Sequence, residues 1–271
     1  MSFVLTKELA GMIEQSEINC LESRLTAIKE IASNPMGVEI RKFGNATAFT
    51  AKYIPGPSFN RVLGMSGEEV KYINPILSFY QERNIPARFE ITPAYASSDL
   101  LKSLAEKEFF HCGFHNSLYG SLSNELVSVT ESNTSISIRE FEKDEFEIFA
   151  EIYTKGFGLP SFLKEHVARN NEVLYNNRNW IFYMALFNGE PAGIGVLYES
   201  DGIGTLAAST TIPKFRNKGV HSALVLKRLE RAKQLKCDLI VGQAGYGSVS
   251  QKNMERAGMK IAYTKGVWLS T

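Results

Sequence analysis

The sequence predicts an α/β (α+β) chain of two mixed β-sheet domains in tandem, each with helices on its sheet faces. Three observations carry this. The second half runs in the order β-α-α-β-β-β-α-β-α-β, and the first half repeats a fainter version of it. Between them lies a stretch, residues 123–137, rich in Ser, Thr and Asn and poor in large apolar side chains. The boundary is placed near residue 130, giving domains 1–130 and 131–271. With 271 residues, 44% hydrophobic and 22% charged, the chain has material for two cores.

In the second half, residues 137–139 begin a strand, and a helix spans 144–155, ending at Gly156. Residues 161–176 form a second helical region. The segment 180–212 holds three strands joined by Asn188-Gly189 and Asp201-Gly202, dipeptides that favour hairpin turns. A strand, a turn and a helix over 217–235 follow. Val225, Leu229, Ala232 and Leu235 keep helical spacing on one side of that helix, and Lys227, Arg228, Glu230, Arg231 and Lys233 take the other. "CDLIVGQA" reads as a buried strand, Ser248 and Gln251 as a capping box opening a short helix that ends at Gly258, and "KIAYTKGVWLS" as the closing strand.

The first half opens with a helical region over 5–33, then strands at 38–43, 46–53 and 59–65. Ser66 and Glu69 suggest a capping box before a helix to Arg83 that Pro75 bends or restarts. "ARFEI" is a strand, 98–107 a helix and "GFHNSLYGSL" a last strand.

A net charge of +1 gives no global pull toward nucleic acid or an anionic membrane, so any electrostatic function is local. The three cysteines, Cys20, Cys112 and Cys237, are odd in number and widely spaced, which reads as reduced thiols in a cytoplasmic protein. "MSFVLTKELAGMIEQ" carries Lys7, Glu8 and Glu14 among its apolar residues and is not read as a signal peptide. Apolar runs such as "WIFYMALF" fall short of the roughly 20 residues a membrane helix needs. His111, Cys112 and His115 lack a fourth ligand for zinc, and no metal is expected.

Chemistry concentrates in "STTIPKFRNKGVHSALV". A helix that opens just after a turn leaves its first N–H groups unpaired, and its dipole favours an anion there. Arg216 and Lys218 add positive charge, and Gly219 permits close backbone approach. Ser209, Thr210 and Thr211 end the preceding strand, whose backbone could pair with an amide-bearing ligand; Pro213 then releases the chain from the sheet. The residues alone leave two readings open: a phosphate site, or a solvated basic turn.

"TIPKFRNKGVHSALV" resembles the acyl-CoA signature of the GNAT N-acetyltransferase superfamily, Arg/Gln-x-x-Gly-x-Gly/Ala after a V-x-P strand end. Arg216, Gly219 and His221 fall on its three positions. The resemblance covers roughly 135–271, and "GSVSQKNMERAGMKIAYTK" is similar to the family's closing segment. It implies two GNAT-like domains in tandem, the first degenerate, and acetyl-CoA as co-substrate. It further implies that Ser209, Thr210 and Thr211 pair with the pantetheine arm, and that Arg216, Asn217, Lys218, Gly219, Val220, His221 and Ser222 cradle the pyrophosphate. Asn253 would approach from the neighbouring helix. The reaction implied is transfer of acetyl to a primary amine of a small molecule; the alternative is a catalytically silent acyl-CoA-binding protein. The chain would act as a monomer or homodimer, with no nucleic acid or membrane partner.

Three departures from the pattern matter. His221 stands where Gly or Ala is usual, with room to point aside. Met254 occupies the position of a tyrosine that serves as general acid, leaving Tyr246 as the nearby substitute. The corresponding turn of the first half, "GMSGEEVKY", puts Glu68 and Glu69 where pyrophosphate would sit, a penalty of about 0.3–2 kcal/mol. As general base the sequence offers Glu199, Asp201 and His166 without a clear choice, and a water relay would leave no trace. The acceptor is expected between the helices of 144–176 and the sheet.

Overall fold

The computed structural model describes residues 4–122 and 134–270. Of the Ser/Thr/Asn-rich seam over 123–137, residues 123–133, and with them the expected boundary near 130, lie outside the described residues. The architecture is mixed α/β, and the chain divides into two compact units. One comprises Val4–Ser117 with the chain from Ala262 onward, and the other comprises Leu118–Ile261. A single cut at 130 does not reproduce this division, because the last strand belongs with the first half.

The first unit opens with α1 (Lys7–Lys29), where the Thr6 side chain accepts from Leu9 N at 3.1 Å. Leu9, Ala10, Ile13, Ile18, Leu21, Leu25 and Ile28 are its buried apolar residues. β1 (Val38–Phe43) and β2 (Ala46–Ala51) form a hairpin, and β3 (Arg61–Leu63) pairs with β2. A 3-10 segment, Gly67–Tyr72, precedes α2 (Ile73–Gln81), so Pro75 falls in the first helical turn, where its missing N–H is tolerated. β4 (Arg88–Ile91) lies parallel to β3, and α3 (Ser98–Glu106) leads to β5 (Phe109–Ser121).

The second unit begins with β6 (Ile136–Glu140), α4 (Phe146–Phe157) and α5 (Lys164–Glu172). β7 (Trp180–Phe187), β8 (Glu190–Ser200) and β9 (Ile203–Thr211) form an antiparallel meander. Its turns place Asn188 and Gly189 at φ 50° and 82°, and Asp201 and Gly202 at 55° and 74°. Two consecutive positive φ values are what a tight two-residue hairpin requires. Then come α6 (Val220–Gln234), β10 (Leu239–Gly245), parallel to β9, and α7 (Val249–Arg256).

The closing strand β11 (Lys260–Ser270) pairs antiparallel with β4, with Trp268 opposite Phe89. The reason is a buried ion cluster. Lys265 is fully buried, and its Nζ lies 2.8 Å from both Glu17 oxygens and 2.8 Å from Glu90 Oε2. Arg61 Nη1 reaches the same two carboxylates at 3.2 and 3.1 Å, and Arg88 Nη2 holds the other Glu90 oxygen at 3.0 Å. Burial alone raises a carboxylate pKa, but the Arg61 and Lys265 charges hold Glu90 well below the usual range.

Two local expectations are corrected. α4 runs past Gly156 and ends at Gly158, which has φ 67° and caps the helix left-handed. Gly156 is a packing glycine: a Cβ there would collide with the Thr210 side chain. Arg228, placed by spacing on the charged side of its helix, is 1% exposed. Its Nε donates to Leu224 O at 2.9 Å and its Nη1 to Val196 O at 3.3 Å. The absence of a Cβ at Gly195 leaves room for the guanidinium. Burial pushes Arg228 down to about 9, against a smaller lift from Tyr183, so it keeps its charge at neutral pH.

Candidate functional site

The site starts from a change in how β9 is paired. Opposite Gly195–Leu197 the partners on β9 skip from Ser209 to Leu206, a bulge of one extra residue in β9. On its other edge β9 pairs with β10 only from Ile203 to Leu206, so the two parallel strands part beyond Leu206 and Gly242. Ile212 N donates to Ala192 O at 2.9 Å. By antiparallel alternation Thr210 then faces β8 as well, while the backbone N–H groups of Ser209 and Thr211 face the opened edge. The Thr211 Oγ1 is buried without a hydrogen-bond partner.

Beyond Pro213 the chain makes a 3-10 turn, and Asn217 and Gly219 adopt φ 59° and 88°. A Cβ at Gly219 would meet nothing nearer than Ile136 Cδ1 at 3.5 Å, so the backbone conformation, not crowding, requires glycine there. Gly219 is the N-cap of α6 and offers no side-chain acceptor, and the first turn holds no acidic residue. Ala223 N donates to Gly219 O at 2.9 Å, which leaves the N–H groups of Val220, His221 and Ser222 without intrahelical acceptors.

These pieces enclose a cleft of ≈ 550 Å³. Ser209, Thr210, Thr211, Arg216, Asn217, Gly219, Val220, His221, Ser222 and Asn253 all line it. Lys218 does not: its ammonium stacks over Phe187 at 4.7 Å and Phe215 at 5.7 Å from the ring centroids. Arg216 lines the cleft yet serves as a clamp, with Nη2 donating to Gly156 O at 2.8 Å and Nε to Thr211 O at 3.4 Å. It ties the end of α4 to the end of β9.

His221 does point aside. Arg256 Nη1 donates to Asn253 Oδ1 at 3.1 Å, so the Asn253 amide nitrogen is left to donate to His221 Nδ1 at 3.0 Å. That assignment puts the imidazole proton on Nε2. Burial, and then the Arg228 charge, push His221 down to about 4, so the ring is neutral.

Sequence reasoning missed Phe215, Val249, Ser250 and Arg256, which also line the cleft. The signal was available for Ser250 and Arg256, which share the helical face of Asn253 at i−3 and i+3.

The candidate acid–base groups lie elsewhere. Tyr246, expected as the catalytic acid, is 71% exposed and outside the cleft lining. Met254 is a core residue packed against Gly242. Glu199 Oε1 accepts from Gly202 N at 3.3 Å and Asp201 accepts from the Ser200 hydroxyl at 2.7 Å. Both sit in the hairpin at the far end of β9, about 25 Å along the strand from Thr211. His166 is exposed on α5 and does not line the cleft. His111 packs on Phe114 and Trp268, and Cys112 Sγ contacts Val267 O at 3.4 Å. Among the described residues no three His, Cys, Asp or Glu side chains converge on a metal position. Burial pushes the Cys20 thiol up to about 12 and the Cys237 thiol up to about 11.

A sheet opened between parallel strands, with an uncapped helix N-terminus at its mouth, is an α/β arrangement with room and donors for an extended, anion-bearing ligand. The comparisons name it. Residues 139–253 match the model of the acetyltransferase (GNAT) family. A GCN5-related N-acetyltransferase from Kribbella flavida has a TM-score of 0.68 at 12% identity, over 97% of this chain and 95% of that one. One from Sphaerobacter thermophilus gives 0.63 at 13%, over 98% and 93%. A tandem GNAT protein from the clavulanic acid biosynthesis pathway gives 0.64 at 12%, over 91% and 86%. At such identities the structural likeness shows the fold. No curated protein matches the chain. The family is one of acyl transfer and generally uses acetyl-CoA. Among the described residues no helix is long and apolar enough to cross a membrane.

Proposed function

We propose that this chain transfers an acetyl group from acetyl-CoA to a primary amine of a small molecule. The observation that carries the reading is the single cleft that gathers the freed edge of β9 and the uncapped start of α6. The residues fit the group: Thr211 Oγ1 is an orphaned buried acceptor and donor in the cleft wall, and three helix N–H groups face an anion position. When bound, acetyl-CoA supplies a thioester carbonyl open to attack by a neutral amine.

The chain's own residues then divide the work. Outward N–H groups of Ser209 and Thr211 hold the amide-bearing arm and orient the carbonyl at the point where β9 and β10 part. The N–H groups of Val220, His221 and Ser222 take the pyrophosphate. Thr205 Oγ1 on β9 and Gln243 Nε2 on β10, both buried without partners, flank the parting and are assigned to the acceptor. Among the described residues no carboxylate lines the cleft, and the amine's proton is assigned to water. The chain is assigned to the cytoplasm, with the thiols of Cys20, Cys112 and Cys237 reduced.

Titration with acetyl-CoA, followed by thiol release over a panel of small amines, tests this. Binding with amine-dependent thiol release is expected; absence of binding overturns it. A second reading, a silent acyl-CoA-binding protein, is favoured by the core position of Met254. Binding without thiol release to any amine selects it.

A further inference from the structure

Resting on the reading of the cleft as an acetyl-CoA site, we infer that Arg256, on α7, is the residue whose side chain pairs with a phosphate of the cofactor, in place of Arg216 and Lys218. The cleft is lined by two cationic side chains, Arg216 and Arg256. Arg216 gives two of its five N–H donors to the backbone carbonyls Gly156 O and Thr211 O, which fixes its guanidinium as a backbone clamp. Lys218 lies outside the lining, over two phenyl rings.

Arg256, which like Arg216 is exposed and lines the cleft, differs in its anchor: one side chain, Asn253, holds it in place of two backbone carbonyls. Among the described residues no carboxylate forms an ion pair with it. One nitrogen, Nη1, is held by Asn253 Oδ1, which aims the planar group and leaves further N–H donors for an anion. Asn253 is itself 8% exposed and held by His221 Nδ1. The histidine at a signature position usually filled by a small residue therefore acquires a purpose: it is a positioning residue at the base of a His221–Asn253–Arg256 chain running from α6 to α7.

Calorimetric titration of the full chain with acetyl-CoA and with CoA lacking the 3′-phosphate tests the assignment, using R256Q, R256K, K218Q and H221A at two salt concentrations. A charge-assisted pair is worth about 10- to 100-fold in affinity, so R256Q is expected to weaken acetyl-CoA by that factor and to flatten its salt dependence. R256K should recover part of the loss, K218Q should lose less than R256Q, and H221A should fall between wild type and R256Q. Equal weakening of both ligands by R256Q places the contact at the pyrophosphate; weakening of acetyl-CoA alone places it at the 3′-phosphate. Wild-type binding with R256Q within twofold and an unchanged salt slope overturns this inference alone. A wild-type chain that binds no acetyl-CoA overturns the functional reading, and this inference with it.

Discussion

The strand-turn-helix β9–α6 and its counterpart β3–α2 begin from the same plan and end with opposite electrostatics. In the second unit, two left-handed residues, Asn217 and Gly219, swing the chain into a helix whose first turn is uncapped and free of acidic residues. In the first unit, Gly64, at φ 76°, makes the corresponding turn, but its N–H donates to Glu14 Oε1 at 3.2 Å. Glu69, 2% exposed, then takes the Ser66 hydroxyl through one oxygen and Asn45 N at 3.2 Å through the other. The helix start that faces a cleft uncapped in the second unit is capped in the first, where Ser66 Oγ accepts from Glu68 N at 3.1 Å, and Glu14 takes the N–H of the turn at Gly64. In the first unit the turn is thus filled by the chain's own Glu14 and Ser66, with Glu69 beside them.

The comparison can be broken most forcefully at Lys265. In the first unit Lys265→Met leaves Glu17 and Glu90 with one fewer cation, and a broken buried pair costs about 3–5 kcal/mol. Denaturant unfolding should show that loss; a change below about 1 kcal/mol would mean that the cluster does not hold β11 in the first unit. Next in size, Gly219→Val should weaken acetyl-CoA about 100-fold or more in a chain that stays folded, because a β-branched residue resists φ 88°. Glu69→Gln should cost about 1–2 kcal/mol of stability yet create no second cofactor site, since Glu14 still occupies Gly64 N–H. A stoichiometry of two acetyl-CoA per chain in that variant would contradict the account of the closed turn.

The smallest effect is a pH slope. His221 has its pKa lowered from 6.5 to about 4 by burial, so the unfolded chain binds a proton that the folded chain refuses. Its contribution to stability is therefore complete above about pH 6.5 and declines as pH falls toward 4, where the folded ring also protonates. His221→Asn should remove that part of the slope in stability measured across this window. An unchanged slope would show that His221 titrates normally.

Legibility followed the reach of the interaction. β1 over Val38–Phe43 and both hairpin turns of the meander were visible because periodicity and turn chemistry are local. Ser209 to Ser222 is one continuous stretch, and ten of the residues singled out there and at Asn253 line one cleft. The membership of β11 was not visible, because Lys265 finds Glu17 and Glu90 across 248 and 175 residues of sequence. Arg228 misled for a related reason: spacing places it beside Lys227, and only the missing Cβ at Gly195, on another strand, makes room for it. Arg216 carried the expected charge but gave it to backbone carbonyls that only the fold brings near.

The central claim is the proposal that one of two similar turns binds an acyl-CoA and that the other, filled by Glu14 and Ser66, does not. Calorimetric titration of the full chain with acetyl-CoA, in wild type and Gly219→Val, tests it most directly. The account predicts one site per chain in wild type and none detectable in the variant. Binding at two sites, or binding that survives Gly219→Val unchanged, would contradict it.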